Sequence, residues 1–235
     1  MDTKTRHALK KDKFAQATAS SMSWLSGHRT GVLRWVIVGV LVLAGGVAWV
    51  VSWNLRSTAA DIALGAALDV YSAPLAQPGA PAAKGTYATA GERSKAANQQ
   101  FAAVAQQYGW LAEGAKAHYF AGVTYEELGQ NGPAETELKA AAGSWNRNLS
   151  NLAKLALAGL YHQTSRDAQA IEVYSALAAK PSETVPAAVA QLDLADLYAE
   201  TGKRDEALKL WAHVKDTDKD GAAGGIAAQK LGAKQ

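Results

Sequence analysis

The stretch GVTYEELGQNGPAETELKAA, residues 122–141, recurs in altered form as AGLYHQTSRDAQAIEVYSAL, residues 158–177, and ADLYAETGKRDEALKLWAHV, residues 195–214. Aligned, the stretches place three tyrosines 36 and 37 residues apart. A small residue precedes each tyrosine by three positions, and Gly or Ser follows the tyrosine by four. Five positions after that Gly or Ser comes an alanine, which is followed by two more apolar positions. The aligned sets are Gly122, Ala158 and Ala195; Tyr125, Tyr161 and Tyr198; Gly129, Ser165 and Gly202; Ala134, Ala170 and Ala207; Leu138, Tyr174 and Trp211; and Ala141, Leu177 and Val214.

This spacing predicts a helix-turn-helix unit. The small residue lets two helices approach closely, the aromatic ring fills the space beneath them, and the Gly or Ser permits the turn. The pattern resembles the tetratricopeptide repeat, whose period is about 34 residues. Each unit here is longer, and the excess falls in SWNRNLSN, residues 144–151, and KPSETVP, residues 180–186. The competing interpretation is an ordinary amphipathic helical bundle.

Two partial units flank the three full ones. Ala97, Phe101 and Val104 copy the second helix of a unit, and residues 59–72 are the expected substitute for its first helix. GAAGGIAAQKLG, residues 221–232, predicts a short capping helix. Such units need neighbours to cover their apolar faces, so three and a half of them with a cap are about the minimum for a stable stack.

The stretch RWVIVGVLVLAGGVAWVVSWNLR, residues 34–56, predicts a membrane span. From Trp35 to Trp53 it has nineteen residues without a charge. As a helix these rise about 28 Å, close to the thickness of the hydrocarbon core. A cleaved signal and a buried core helix are the alternatives. A signal's apolar region is shorter and begins nearer the N-terminus, so an anchor is favoured.

Charge is distributed unevenly about this span. Residues 1–34 carry a net charge of +5, whereas residues 54–235 carry −2. The basic excess therefore belongs to the tail and gives no support to nucleic-acid binding. It predicts that the tail is cytoplasmic and that residues 57–235 lie on the outer side of the membrane. The tail, residues 1–33, is either a solvated retention signal or an amphipathic helix lying on anionic lipid or a membrane partner.

The predicted fold is all-α, with one N-terminal transmembrane helix followed by a short tetratricopeptide-type α-solenoid. The sequence divides into the tail, residues 1–33; the transmembrane helix, 34–56; a connecting helix, 57–73; a Pro/Gly/Ala loop, 74–92; and a repeat domain with a C-terminal cap, 93–235.

The layout also resembles a family of single-span bacterial inner-membrane proteins with an exported tetratricopeptide domain, and is most similar to the ancillary subunits of the SecYEG translocon. The resemblance implies a periplasmic protein-binding scaffold, an adaptor near the export machinery, with translocon subunits or a periplasmic chaperone as partners. An alternative is a coordinator of cell-envelope assembly or division that uses the same domain. A hydrolase is a third class, for which the sequence offers no suitable polar constellation.

In a stack of this type the first helix of each unit lines a groove. The residues expected to form a partner-binding groove are Tyr119, Glu126, Glu127, His162, Gln163, Asp196 and Glu200. Val123, Gly159, Leu155 and Leu192 are the apolar residues expected nearby. Such a lining, apolar at one edge and acidic at the other, suits a short segment with an apolar side and basic residues. The alternative is that the acidic residues only keep an exposed surface soluble.

Other signals are weaker. The chain has no cysteine, which excludes disulfides, thiolate metal sites and cysteine nucleophiles. DTDKDG, residues 216–221, starts like a calcium loop, but its twelfth place is Ala227 instead of the required glutamate. The three histidines of the exported part occupy different places in their units. We therefore expect no catalytic residue, metal, cofactor or small-molecule substrate.

Overall fold

The computed structural model describes residues 29–76 and 85–232. Within those ranges the chain forms nine α-helices and no strand. The helices are α1 (Arg29–Tyr71), α2 (Ala90–Tyr108), α3 (Ala112–Glu127), α4 (Asn131–Ala142), α5 (Arg147–Gln163), α6 (Asp167–Ala179), α7 (Ala187–Glu200), α8 (Arg204–Thr217) and α9 (Ala222–Gly232). Most of the predicted basic tail, the middle of the predicted loop and the last three residues lie outside the described residues.

Helix α1 is long and apolar enough to span a membrane. Its large apolar side chains from Leu33 to Leu55 expose 40–77% of their surface, which is consistent with a single-pass anchor surrounded by lipid. The predicted span and connecting helix form one helix of 43 residues, because the sequence between them has no proline. The helix ends three residues before Pro74, which lacks the amide hydrogen that a continuing helix needs.

Contacts divide the chain between Arg56 and Ser57 into two units. In the Ser57–Gln235 unit, Leu64 and Ala67 of α1 belong to one apolar cluster with Phe101 of α2 and Ala117 of α3. The rings of Phe101 and Phe120 stack with centroids 5.1 Å apart. The last turns of α1 are thus part of the core of this unit.

From α2 to α9 each helix packs against the next one in sequence, and α3 also contacts α5, as α7 does α9. Small residues make this close packing possible. Ala158 and Ala195 are fully buried, and a Cβ added to Gly122 would lie 2.6 Å from the Cγ of Leu138. These are the three small positions that the repeat places before its tyrosines.

The turns after α3, α5 and α7 share one hydrogen-bond pattern. Gly129, Ser165 and Gly202 have positive φ angles of 71°, 59° and 81°. In each turn the next residue donates its amide to the carbonyl of the repeat tyrosine, at 2.8, 2.7 and 2.8 Å. This is the Schellman arrangement, which favours glycine because a Cβ clashes in the left-handed region. The first helices therefore end where the sequence predicts.

Ser165 is the unfavourable residue of this set. We expect Ser165→Gly to stabilise the unit by about 1 kcal/mol, because it removes the Cβ from a left-handed position. Gly129→Ala should destabilise it by a similar amount, although nothing lies within 4 Å of the added Cβ. Thermal unfolding of the full chain in detergent would show shifts of about 2–4 °C in opposite directions. Equal melting temperatures for the three proteins would contradict the prediction.

A second type of turn joins α2 to α3 and α8 to α9. Leu111 donates its amide to the carbonyl of Tyr108 at 2.8 Å, and Gly221 donates to Asp218 at 3.0 Å. A Cβ on Gly114 would lie 1.9 Å from the carbonyl oxygen of Tyr108, and one on Gly224 would lie 2.0 Å from that of Asp218. The backbone thus crosses a helix so closely that only glycine fits.

Candidate protein-binding face

The predicted groove residues lie on the first helices of the three units: Tyr119, Glu126 and Glu127 on α3, His162 and Gln163 on α5, and Asp196 and Glu200 on α7. The hydroxyl of Tyr174, on α6, is affected by charged groups on two of these helices, α3 and α7. A Cβ on Gly159 would lie 4.0 Å from its hydroxyl oxygen, so the hydroxyl lies under α5. Burial raises the pKa of Tyr174, and the charges of Asp193, Glu126, Asp196 and Glu200 raise it further. The charges of carboxylates on α3 and α7 thus both raise the pKa of one buried hydroxyl, that of Tyr174. We call the following residues the acidic face: Tyr119, Glu126, Tyr174, Asp193, Asp196 and Glu200.

Glu127 connects α3 to the two helices before it. Its carboxylate accepts a hydrogen bond from the Tyr71 hydroxyl at 2.6 Å and another from the Ser94 hydroxyl at 2.5 Å. Ser94 is buried, so these bonds satisfy polar atoms that would otherwise be costly to bury. The structure gives Glu127 a role inside the fold.

His162 makes a corresponding connection between α5 and α7. Its Nδ1 lies 2.7 Å from Asp167 Oδ1, and its Nε2 lies 2.7 Å from Glu200 Oε2. The hydrogen bonds to Asp167 and then to Glu200 raise the pKa of His162, since both favour the imidazolium. Glu127 and Glu200 each follow a repeat tyrosine by two residues. Glu127 is hydrogen-bonded to Tyr71 of α1, the expected substitute for a first helix, and Glu200 to His162 of α5. Gln163, at the same place in α5, is exposed.

Asp196 also has hydrogen-bond partners within the fold. It accepts a hydrogen bond from Trp211 Nε1 at 2.8 Å, and its other oxygen accepts one from the Lys230 ammonium. These bonds tie α7 to α8 and to α9. Its charge is therefore offset within the fold, as that of Glu200 is by His162.

Glu126 and Asp193 differ from these carboxylates. Both are partly buried, and neither has a hydrogen-bond or ion-pair partner among the described residues. Burial, followed by the charge of Glu127, raises the pKa of Glu126. Burial, followed by the charge of Asp196, raises the pKa of Asp193 to about 6. A cation placed beside Glu126 would therefore be stabilised by a charge that no hydrogen bond or ion pair offsets. One placed beside Asp193 would add to the attraction that the charge of Lys230 already exerts.

Apolar surface lies near Glu126. Tyr119 lies edge-on to Phe120 with centroids 5.3 Å apart, and burial followed by the charge of Glu126 raises the pKa of its hydroxyl. Val123 and Leu155 pack on the central core yet stay partly exposed. The acidic face can thus contact an apolar side chain as well as a cation.

Sequence reasoning missed Asp193. The signal was present, because Asp193, Asp196 and Glu200 follow the i, i+3, i+7 spacing that places residues on one side of a helix. Leu192, which was expected at the apolar edge, is instead buried against α8 and α9.

The other sequence signals have structural explanations. Asp218 of the calcium-like stretch accepts the amide of Gly224 at 3.0 Å and so caps α9, while Ala227 at the twelfth place is fully buried. His118 Nδ1 lies 2.6 Å from Glu137 Oε2. His162 has different partners, Asp167 and Glu200. Over residues 29–76 and 85–232, no three His, Cys, Asp or Glu side chains are grouped to hold a metal ion.

No protein-family model matches the chain, and no curated protein is similar to it.

Proposed function

We propose that this protein is a membrane-anchored scaffold that binds a segment of another protein on its acidic face. The observation that carries the proposal is the pair of partly buried carboxylates without partners, Glu126 and Asp193. They belong to α3 and α7, and both act on the buried hydroxyl of Tyr174 between those helices. A segment with basic residues and an apolar side would offset both charges and cover Tyr119, Val123 and Leu155.

The proposed fold of the Ser57–Gln235 unit is a short tetratricopeptide-type α-solenoid, with the acidic face lining its concave groove. Three features support it. The small, aromatic, turn and alanine positions align three times, the three turns share one hydrogen-bond pattern, and successive helices pack in sequence, with contacts between alternate helices. In such a stack each unit touches only its neighbours, which leaves the first helices free to form an extended surface.

We further propose that the anchor lies in a bacterial inner membrane, with the N-terminus cytoplasmic and the helical domain periplasmic. The basic excess before residue 35 supports this orientation. The proposed role is an adaptor near the protein-export machinery, with translocon subunits or a periplasmic chaperone as partners. A phosphatase reporter that requires export, fused after Gln235, should be active; activity of a cytoplasmic reporter at the same position would contradict the orientation.

Site-specific photocrosslinking in cells tests the binding face. A photoreactive residue replaces Tyr119, a partly exposed member of the acidic face, and the control replaces Lys209, exposed on α8. We expect adducts from position 119 that mass spectrometry identifies as export components and that the double variant Glu126→Gln, Asp193→Asn removes. Adducts with cell-wall or division proteins would favour the alternative role. Equal adducts from both positions, or adducts that survive the double variant, would contradict binding on this face.

A further inference from the structure

A second surface of the same unit has the opposite charge. The chain between α4 and α5, the first turns of α5 and the second half of α6 with Lys180 line a cleft of about 630 Å³. Three cationic side chains border it, Arg147, Lys154 and Lys180, against a single carboxylate, Glu172. None of the three cations has an ion-pair partner among the described residues.

An aromatic side chain stands at the edge of this cleft. Trp145 exposes 87% of its surface, more than any other large apolar side chain described, including those of the membrane helix. Val173 and Leu177 supply apolar wall below it. Tryptophan and arginine, here Trp145 and Arg147, are among the side chains that make the strongest contacts in protein interfaces.

The walls of the cleft are held in place by buried polar groups. The Ser150 hydroxyl donates to the Ala142 carbonyl at 2.6 Å, and the Asn151 amide donates to the Lys180 carbonyl at 3.1 Å. Both side chains are buried. The Asn146 side chain accepts the amides of Asn148 and Leu149 and so caps α5. The cationic groups are therefore mounted on a fixed frame.

Part of the lining of this cleft comes from the two stretches to which the extra length of the units is assigned. Trp145, Arg147, Ser150 and Asn151 lie in SWNRNLSN, and Lys180 begins KPSETVP. The Thr184 hydroxyl donates to the Asn148 carbonyl at 2.8 Å, which joins the two connections. These two stretches therefore contribute to the cleft together with the start of α5 and the second half of α6.

We propose that this cleft is a second docking site, which binds an acidic segment of a protein partner carrying an apolar side chain. Three unpaired cations against one carboxylate complement acidic side chains, and Trp145 with Leu177 complements the apolar one. A concave site that contains Glu172 suits a chain segment better than a planar anionic bilayer, which would bring lipid charge against that carboxylate. With the acidic face on α3 and α7, the unit presents two binding surfaces of opposite charge.

The test uses the full chain in nanodiscs of zwitterionic lipid. The probe is a fluorescent twelve-residue peptide of Asp and Glu around one Leu and one Phe, and its control replaces every carboxylate by the corresponding amide. We expect the acidic peptide alone to bind, and its affinity to fall as salt is raised. Lys154→Gln with Lys180→Gln should weaken binding about 10-fold, as for two partly exposed ion pairs, and Trp145→Ala about 30-fold.

Matched variants separate this site from the rest of the chain. Lys209→Gln with Lys215→Gln removes two exposed lysines of α8 and should leave affinity within about 2-fold of the wild type. Glu126→Gln with Asp193→Asn should also leave it unchanged, so failure here is distinct from failure of the acidic face. Circular dichroism verifies that each variant is folded. Equal binding of the amide peptide, or undiminished binding by the Trp145 and lysine variants, would overturn the proposal. So would anionic vesicles that bind through these residues while the peptide does not.

Discussion

Alanine in place of Gly114 is expected to destabilise the Ser57–Gln235 unit by about 3 kcal/mol, a large part of the roughly 5–15 kcal/mol by which a folded domain is ordinarily stable. The added Cβ would lie 1.9 Å from the carbonyl oxygen of Tyr108 and 2.6 Å from the amide nitrogen of Gly109. Both are backbone atoms, so the clash cannot be relieved by rotating a side chain. The turn between α2 and α3 would have to open. Chemical unfolding of the full chain in detergent, followed by circular dichroism, measures the loss.

Gly132→Ala is the matched control. Gly132 also lies near the start of a helix, but nothing is within 4 Å of its added Cβ. Alanine there should stabilise the helix by about 0.5–1 kcal/mol, because glycine loses more conformational freedom on folding. If Gly114→Ala and Gly132→Ala unfold at the same denaturant concentration, the close backbone crossing described above is wrong.

Asp193→Asn is expected to separate stability from binding. The folded pKa of Asp193 is raised from 3.8 to about 6. Its contribution to stability is therefore fully present below pH 3.8 and is lost as the pH rises through about 6, where the folded protein must carry a partly buried charge. Removing that charge should stabilise the protein at pH 8 by about 1 kcal/mol, allowing for screening of a partly exposed group, and should have little effect at pH 4.

The same change should weaken binding. A peptide with lysines on one side and leucines on the other should bind the wild type more tightly at pH 7.5 than at pH 5, because Asp193 loses its proton between them. Asp193→Asn should reduce the affinity at pH 7.5 about 10-fold and abolish most of this pH dependence. Calorimetry at the two pH values, with thermal unfolding of the same samples, measures both effects.

Asp196→Asn is the control for that pair of measurements. Asp196 already bonds Trp211 and Lys230, so its loss should destabilise the protein at pH 8. Stabilisation by Asp193→Asn without loss of peptide affinity would mean that the acidic face does not bind through Asp193. Destabilisation at pH 8 would mean that the carboxylate has a partner in solution.

The helical units could be predicted from the sequence because the information that defines them is local. Helix periodicity and the turn residues at Gly129, Ser165 and Gly202 each act over a few positions, and the helices end there. The membrane-spanning potential of α1 follows equally from composition. The continuity of α1 to Tyr71 was not predicted, because an apolar segment and an amphipathic one look like separate elements although nothing between them breaks a helix.

The candidate site was less predictable because its electrostatics depend on distant parts of the chain. Glu127 and Asp196 were expected to face a partner, and the structure gives them partners from other helices, Ser94 and Lys230 among them. No spacing rule relates those residues in sequence. Burial then distinguishes Glu126 and Asp193 from their neighbours, and burial is known only once the helices are packed.

The two glycine crossings have a consequence for how this domain can grow. Gly114 and Gly224 approach the preceding backbone equally closely. The turn before the first of the three units and the turn after the third are therefore of the same type. A gene in which the codons for residues 115–224 are duplicated after Gly224 would thus encode a longer array without any new linker.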